Sequence, residues 1–319
     1  MAGEPRLPAI SFSGRPSQRE TWVSRRAIAI GSLVLVMMVW GSSFAVTKAS
    51  LAQVPPITFA FIRFSIATLT LLAMAALQRR RAGAAARPAP AWGPVALIGL
   101  TGVTLYYVTS NLALYYATAS QGALVQSAIP AATALLAAVA LKERLQPRQW
   151  AGIWLSVAGV LLVVAAAPQA AAAPSGGQGR SPLLGAALMF GAVLVWAIYT
   201  VLAKRLAQSD PYLVTAYSAL LGTLFLAPIA LLELHGQPWP AIGPADWLRL
   251  LYLGTLSSAV GYFLYNWSLA HLNAGQTANF VNLMPIAGVV IAVVFLGEQV
   301  LPLQIAGGAI VLAGVWLAT

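Results

Sequence analysis

The fold is decided by a stretch that the chain carries twice, VWGSSFAVTKASL at 39–51 and VWAIYTVLAKRL at 195–206. Both copies place a tryptophan eight residues before a lysine in an apolar run, and the two tryptophans are 156 residues apart. A helix that is written twice at this distance indicates that a larger unit has been duplicated. The residues around both copies show how far that unit extends.

The composition places most of this chain in a lipid bilayer. Its 319 residues are 60% hydrophobic and only 8% charged, with a mean hydropathy of +0.80. A soluble domain carries about 25% charged residues, which keep its surface in water. The chain contains no cysteine, which excludes disulfide bonds and thiolate metal sites. We expect neither a cofactor nor a metal.

Ten apolar segments approach the roughly 20 residues that are needed to cross a bilayer core. They lie at 28–48, 57–77, 95–117, 120–141, 149–167, 183–204, 212–234, 247–269, 274–296 and 302–318. The polar, Arg-rich residues 1–27 predict a disordered cytoplasmic tail. The stretch at 168–182 is rich in Ala, Gly and Pro, and predicts a linker between units at 28–167 and 183–318.

The lysines and arginines predict how the chain is oriented. With ten spans and a cytoplasmic amino terminus, fourteen of the 18 Lys and Arg residues fall in cytoplasmic segments. Lys48, Arg180 and Arg249 fall outside, and Arg63 lies within a span. This positive-inside bias predicts a multi-pass inner (plasma) membrane protein with both termini in the cytoplasm. Since it also explains most of the net charge of +11, we expect no nucleic-acid partner. The oligomeric state is not readable from the sequence.

The duplication extends over nearly the whole chain. LKERLQPRQWAG at 141–152 matches LGEQVLPLQIAG at 296–307, at an offset of 155 residues. The same offset pairs Tyr107 with Tyr262, Asn111 with Asn266, Gln121 with Gln276, Pro130 with Pro285, and Gly159 with Gly314. Five spans are an odd number, so the second copy enters the membrane from the opposite side. We therefore predict an all-α membrane protein of ten transmembrane helices, built as two inverted-topology five-helix repeats, as in many secondary transporters.

Four stretches carry a family resemblance in their order: WGSSFAVTK, FAFIRFSIATLTLL, NLALYYATASQGALVQSAIP and LKERLQPRQWAG. Over about residues 30–318 the chain resembles the drug/metabolite transporter superfamily, in particular its EamA-type ten-helix members. The resemblance implies export or exchange of small metabolites such as amino acids. It leaves the cargo open, and a drug efflux carrier, a channel or a lipid flippase on the same fold are the alternatives.

Polar and aromatic side chains in the spans predict a substrate pocket, because polar groups in hydrocarbon need a cavity or a partner. The candidates are Trp40, Ser43, Tyr107, Asn111, Trp196, Tyr199, Tyr262, Asn266, Asn279 and Asn282. Interfacial packing of the aromatic residues and helix-to-helix hydrogen bonds of the amides are the structural alternatives.

Arg63 is the charge that lies deepest inside a predicted span, about six residues from its start. Its guanidinium group would capture a substrate carboxylate through paired donors. The alternatives are a side chain that snorkels to the membrane surface, or one that bonds to backbone carbonyl groups.

Glu143 and Glu298 are equivalent in the two repeats, and we expect gating or coupling from them, with simple exposure as the alternative. All seven acidic residues lie in the tail or near span ends, and the two histidines are peripheral. The sequence therefore gives no proton relay in mid-membrane, which favours a facilitated exporter or coupling through Glu298. An enzyme is not expected, because no nucleophile with a base and no metal cluster is available.

Overall fold

A computed structural model describes the backbone of residues 18–82, 90–141, 145–166, 181–206, 209–271, 280 and 283–318. Helices make up nearly all of these residues, and they contain no strand. A helix satisfies its backbone N–H and C=O groups internally, which an apolar chain in lipid requires.

The helices are numbered here in chain order. They are α1 (Gln18–Ser50), α2 (Pro56–Ala82), α3 (Trp92–Gly99, continued by Leu100–Leu105 and Tyr106–Tyr116), α4 (Ala119–Gln126 and Ile129–Leu141), α5 (Pro147–Ala165), α6 (Pro182–Lys204), α7 (Pro211–Glu233), α8 (Pro244–Leu251, continued by Tyr252–Val260 and Gly261–His271), α9 (Leu283–Leu296) and α10 (Pro302–Ala318).

Proline marks where many of these helices begin. It is the first residue of α2, α5, α6, α7, α8 and α10. The first residue of a helix has no intrahelical use for its N–H, and the fixed φ of proline suits the first turn. Asp210 adds a side-chain cap to α7, with its carboxylate accepting from the backbone N–H of Tyr212 at 2.9 Å. The proline and aspartate residues that separate the predicted spans thus also mark where the next helix begins.

The amino-terminal region differs from the prediction. The sequence predicts a disordered tail up to residue 27, whereas α1 begins at Gln18. Residues 18–27 include Gln, Glu and three Arg, which are good helix formers, and they extend the apolar helix beyond its predicted start. The rest of the predicted tail lies outside the described residues, as does all of the predicted 168–182 linker except its last two residues.

Seven helices in the described part are long and apolar enough to cross a membrane. They are Ala27–Ser50, Pro56–Arg80, Trp92–Tyr116, Ala119–Ala140, Pro147–Ala165, Leu183–Lys204 and Pro211–Glu233. Many large apolar side chains point away from the protein, including Leu232, Phe295 and Trp316, each more than 70% exposed. An apolar surface of this kind is stable in lipid rather than in water. The chain is therefore a multi-pass membrane protein.

The two halves of the chain are interleaved. Helix α1 packs against α8 and α9, while α6 packs against α3 and α4. Helix α2 packs against α7, and α5 packs against α10. Each helix of one half thus has its main neighbours in the other half, and the space between α1, α2, α3, α4, α6 and α8 lies at the centre of the molecule.

Glycine allows α5 and α10 to approach closely. A Cβ atom on Gly159 would lie 2.6 Å from the carbonyl oxygen of Gly307, and one on Gly307 would lie 2.8 Å from that of Gly159. Gly152 and Gly314 approach each other in the same way. Small residues are the usual means by which helices associate in lipid.

Several contacts join residues that the sequence pairs at the 155-residue offset. The hydroxyl groups of Thr68 and Thr223 lie 3.0 Å apart. Those of Tyr107 and Tyr262 lie 3.4 Å apart. Such self-pairing is what a twofold axis between two copies produces, because equivalent residues meet on the axis.

Candidate functional site

A cavity of about 280 Å³ lies between the two halves. This volume is near the lower end of the range for small-molecule sites. Residues from both halves line it, and they include Trp40, Ser43, Arg63, Tyr106, Tyr107, Asn111, Gln126, Trp196, Thr200, Lys204, Tyr262 and Tyr265.

Aromatic rings form the middle of the cavity wall. Trp40 of α1 and Trp196 of α6, the tryptophans of the repeated stretch, meet edge to face with ring centroids 5.8 Å apart and planes at 85°. The ring of Trp40 also lies 5.6 Å from that of Tyr262 and 5.1 Å from that of Tyr265. Tyr106 packs against Trp196 at 4.8 Å. Pairs at these distances stabilise one another beyond simple burial, so the walls are held in place without a ligand.

Two π-helical segments anchor these rings. Residues Leu100–Leu105 of α3 and Tyr252–Val260 of α8 both adopt π-helical geometry. The Trp40 indole N–H donates to the carbonyl oxygen of Ser257 at 2.9 Å. The Tyr262 hydroxyl donates to the carbonyl oxygen of Gly102 at 3.3 Å. Positions 102 and 257 are equivalent at the 155-residue offset, and π-helical turns within α-helices are frequent at functional sites.

Arg63 is buried at the wall of the cavity, with 3% of its surface exposed. Its Nε donates to Ser258 Oγ at 2.9 Å, and its Nη2 donates to Ser257 Oγ at 3.1 Å and to the Tyr107 hydroxyl at 3.4 Å. The guanidinium carbon also lies 4.8 Å from the centre of the Tyr107 ring, in a cation–π contact. All of these partners are neutral.

No acidic side chain among the described residues pairs with Arg63; the ion pair found there is Arg249 with Asp246 at 2.8 Å. Nη1 has no hydrogen-bond partner within the same part of the chain. A buried cation without a counter-charge is costly unless a ligand supplies one. The equivalent position in the second half is Ser218, so the charge is present in one half alone and breaks the symmetry of the cavity.

The two ends of the cavity differ in exposure. At one end Thr47, Asn111 and Leu114 are buried, with at most 3% of their surfaces exposed. At the other end Gln149 and Thr200 are half-buried, and Lys204 is exposed. In the described part of the molecule, the cavity is therefore closed at the first end and open at the second.

Glu298 lies at the closed end and joins two helices. Its carboxylate accepts from the backbone N–H groups of Ala119 and Ser120, both at 2.8 Å, and from Ser120 Oγ at 2.6 Å. It thus caps the amino terminus of α4, where an anion is favourable. Gly297 precedes it with φ +63°, a conformation that favours glycine and turns the chain toward α4.

Lys48 lies at the same closed end as Glu298. Its Nζ donates to the carbonyl oxygen of Leu114 at 2.7 Å, at the carboxyl terminus of α3, where a cation is favourable. Its equivalent, Lys204, makes no hydrogen bond or ion pair with the described residues. Within the described residues, the two lysines of the repeated stretch therefore differ: Lys48 is bonded to the end of α3, and Lys204 has no such bond.

The structure brings together most of the candidates that the sequence predicts. Trp40, Ser43, Arg63, Tyr107, Asn111, Trp196 and Tyr262 line the cavity. Tyr199 stands behind the wall, with its ring 4.9 Å from Trp196. Asn266 lies outside the lining and donates to Thr215 Oγ1 at 3.2 Å. Asn279, Asn282 and Glu143 lie outside the described residues.

Other lining residues were not predicted from the sequence. Tyr106 exchanges hydrogen bonds with Gln126 at 2.9–3.0 Å, and Tyr265 packs on Trp40. Tyr106 is next to the predicted Tyr107, and Tyr265 is three residues after Tyr262, so a scan for further aromatic residues on the same helices finds both. Glu233 was also missed; it caps α2 by accepting from the Thr58 N–H at 2.6 Å.

A family model matches the chain twice. The EamA-like transporter family matches residues 27–165 and again residues 183–319. The two matches cover most of the chain, and they agree with the resemblance that the sequence motifs indicate.

Relatives along nearly the full length are named as transporters. An uncharacterized transporter from Archaeoglobus fulgidus is 33% identical, over 90% of this chain and 96% of its own. A probable terminal-alkyne amino-acid exporter from Streptantibioticus cattleyicolor is 30% identical, over 91% and 92%. A probable amino-acid metabolite efflux pump from Salmonella typhimurium is 28% identical, over 89% and 92%.

A solved protein crystal structure aligns with a TM-score of 0.63 over 93% of this chain and 96% of that chain, at 21% identity. At this identity the likeness shows the fold alone. Together with the paired family match and the relatives, the helical membrane fold leads to one conclusion: the chain belongs to the EamA-like transporter family.

Proposed function

We propose that this protein exports or exchanges small amphiphilic metabolites, amino acids or similar compounds, by alternating access. The observation that carries the proposal is the central cavity. Both halves line it, it is closed at one end, and the buried cation Arg63 lies in its wall. The names of two relatives, an amino-acid exporter and an amino-acid metabolite efflux pump, support this class of cargo.

Alternating access requires two states of similar energy, which a pair of inverted five-helix repeats provides. The 155-residue offset of the sequence, the contacts between equivalent residues such as Thr68 and Thr223, and the paired family match all support this architecture. Exchanging the conformations of the two repeats would close the open end of the cavity and open the closed one.

We assign the open end, marked by Lys204, to the cytoplasmic side of the inner membrane, because the positive-inside bias favours this orientation. The described state is then inward-facing. Cargo would enter past Lys204, place its apolar part against Trp40 and Trp196, and bring its polar part to Arg63. Rocking of the repeats would then break the contacts of Glu298 and Lys48 at the closed end and release the cargo outside.

The alternatives differ in what they require of the cavity. A channel needs a path that is open at both ends, and the buried Thr47 and Leu114 oppose one in this state. A lipid flippase needs a lateral opening for acyl chains, and a drug efflux carrier needs a broad apolar cavity. The compact aromatic wall around a buried cation favours a small polar cargo over both.

Energy coupling has one candidate among the described residues, Glu298. Its carboxylate is used as a helix cap at the closed end, so each cycle would have to release it. A carrier that only facilitates flux would do so without binding a proton. A gradient-driven carrier would protonate it. We favour the facilitated carrier because no acid is among the described residues that line the cavity.

The test uses purified protein in liposomes that are loaded with a cytoplasmic metabolite extract. Mass spectrometry follows what leaves, with and without an imposed proton gradient, against liposomes without protein. Selective, saturable loss of a few small metabolites is expected. Loss that does not saturate would support a channel, and no selective loss at all would overturn the proposal.

A further inference from the structure

We infer that the cavity prefers small molecules of net negative charge, with a carboxylate and a flat apolar group, over zwitterionic amino acids. The inference rests on the proposed transport function and narrows its substrate class. It comes from the charged side chains around the cavity and not from the names of the relatives.

Both charged side chains that line the described cavity are cations. Arg63 is buried in its wall, and Lys204 stands at its open end. The remaining described lining is apolar, aromatic, hydroxyl or amide. A cavity with low-dielectric walls and charges of one sign focuses the potential and concentrates ligands of the opposite sign.

The acidic residues whose side chains the structure describes are all engaged elsewhere. Asp210 caps α7, Glu233 caps α2 and Glu298 caps α4, while Asp246 pairs with Arg249. Residues 272–282 contain no acid in the sequence, and Glu143 lies outside the described residues. A ligand ammonium group therefore finds no carboxylate partner in the described lining.

The guanidinium group of Arg63 is prepared for an anion. Two serine hydroxyl groups, of Ser257 and Ser258, and the Tyr107 hydroxyl fix its position. Nη1 makes no hydrogen bond to the described residues, and we propose a ligand carboxylate as its partner. A carboxylate would supply the missing counter-charge and accept from the arginine fork in a charge-assisted bond.

A zwitterion loses much of this advantage. The ammonium group of an α-amino acid is attached one carbon from the carboxylate, so binding the carboxylate at Arg63 brings a second cation close to the guanidinium group. Like charges at such distances repel strongly in a partly dry site. The rings of Trp40 and Tyr262 offer the ammonium group a cation–π contact, but they offer a flat apolar group a larger contact area.

Calorimetry on the purified protein in detergent tests this with four matched probes: 3-phenylpropionate, L-phenylalanine, phenethylamine and 3-phenylpropan-1-ol. We expect 3-phenylpropionate to bind at least about tenfold more tightly than L-phenylalanine, the direction that like-charge repulsion dictates, and phenethylamine to bind most weakly. Equal or tighter binding of L-phenylalanine would overturn the inference.

Variants test whether Arg63 causes the preference for the anionic probe. Arg63→Gln should reduce the preference for 3-phenylpropionate over L-phenylalanine to about twofold or less, since the unpaired charge is removed. Arg79→Gln is the matched control, because Arg79 lies on the same helix but is exposed, and it should keep the full preference. Should Arg63→Gln fail to fold, two other measurements still test the charge preference. One is the order of affinities of the four probes for the unchanged protein, and the other is the salt dependence of 3-phenylpropionate binding to Lys204→Gln.

Transport assays separate this inference from the proposed function. If liposomes release zwitterionic amino acids faster than matched anions, the preference is wrong while the transport function stands. If the order of binding holds but no probe crosses the membrane faster than in liposomes without protein, the charge preference stands and the transport function is wrong.

Discussion

Arg63 shows how one residue can define a site within a duplicated fold. Its equivalent in the other half is Ser218, and its partners Ser257 and Ser258 have Gly102 and Val103 as equivalents. Duplication repeats what packing needs, so a buried charge in one half only supports the substrate-binding role that we propose for it. Its three hydroxyl partners hold it without neutralising it.

Trp40 allows the aromatic wall to be tested. Its ring contacts Trp196, Tyr262 and Tyr265, and its N–H bonds to the Ser257 carbonyl. Trp40→Ala should raise the KM for transport by about fivefold or more, since truncating a half-buried aromatic contact costs roughly 1–3 kcal/mol. Trp40→Phe keeps a ring and should have a smaller effect. Radiotracer uptake into vesicles measures both, and equal effects would contradict a stacking role.

The close approach of α5 and α10 can be tested by substituting one of the glycines between them. Gly159→Ala places a Cβ atom 2.6 Å from the Gly307 carbonyl oxygen, and should lower the free energy of unfolding by ~1–3 kcal/mol through overpacking. Gly31→Ala is the matched control, because a Cβ there meets nothing within 4 Å, and it should be neutral or stabilising. Thermal unfolding in detergent measures both variants; equal melting temperatures would show that α5 and α10 do not pack as described.

Glu298 of the second half caps the first turn of α4 in the first half. Glu298→Ala removes three hydrogen bonds to the start of α4, and should cost ~1–2 kcal/mol while freeing the closed end. Asp210→Ala removes a cap within the second half alone and should cost a similar amount without opening the cavity. Labelling of a cysteine at Thr47 reports the opening, and equal labelling in both variants would remove Glu298 from the closure.

Much of the helical framework could be predicted from the sequence. Apolar runs of membrane length, proline at the first helical position and the repeated Trp and Lys pattern located most helices. The π-helical segments could not be predicted, because their sequences, such as LTGVTL at 100–105, do not differ from ordinary apolar helix. The α4 break at Ser127 and Ala128 was missed although Pro130 lies just beyond it.

At the cavity, the sequence indicated single lining residues and not their partners. Trp40, Arg63 and Tyr107 were chosen because polar or aromatic groups stand out in an apolar helix, and all three line the cavity. The bonds of Arg63 to Ser257 and Ser258 span 194 and 195 residues, and the register between such distant helices is set by packing. Asn266 carries the same pattern as Asn111, yet it faces α7 rather than the cavity.

For the whole molecule, the interleaved halves and the cavity between them are the basis of the transport proposal. Lys48 is bonded at the closed end, and its equivalent Lys204, at the open end, has no hydrogen bond to the residues that the structure describes. In the opposite state we expect these roles to be exchanged, with Lys204 donating to the last carbonyl groups of α8 and Lys48 released.

The most direct test measures access to the two ends of the cavity in turn. The chain has no cysteine, so single cysteines at Thr47 and Thr200 can be labelled in oriented liposomes with a membrane-impermeant maleimide. Alternating access predicts that Thr200→Cys reacts from the side of the open end and Thr47→Cys from the opposite side. Cargo that drives turnover should slow the first reaction and speed the second. Labelling of both positions from one side, at rates that cargo does not change, would contradict alternating access and indicate a continuous pore.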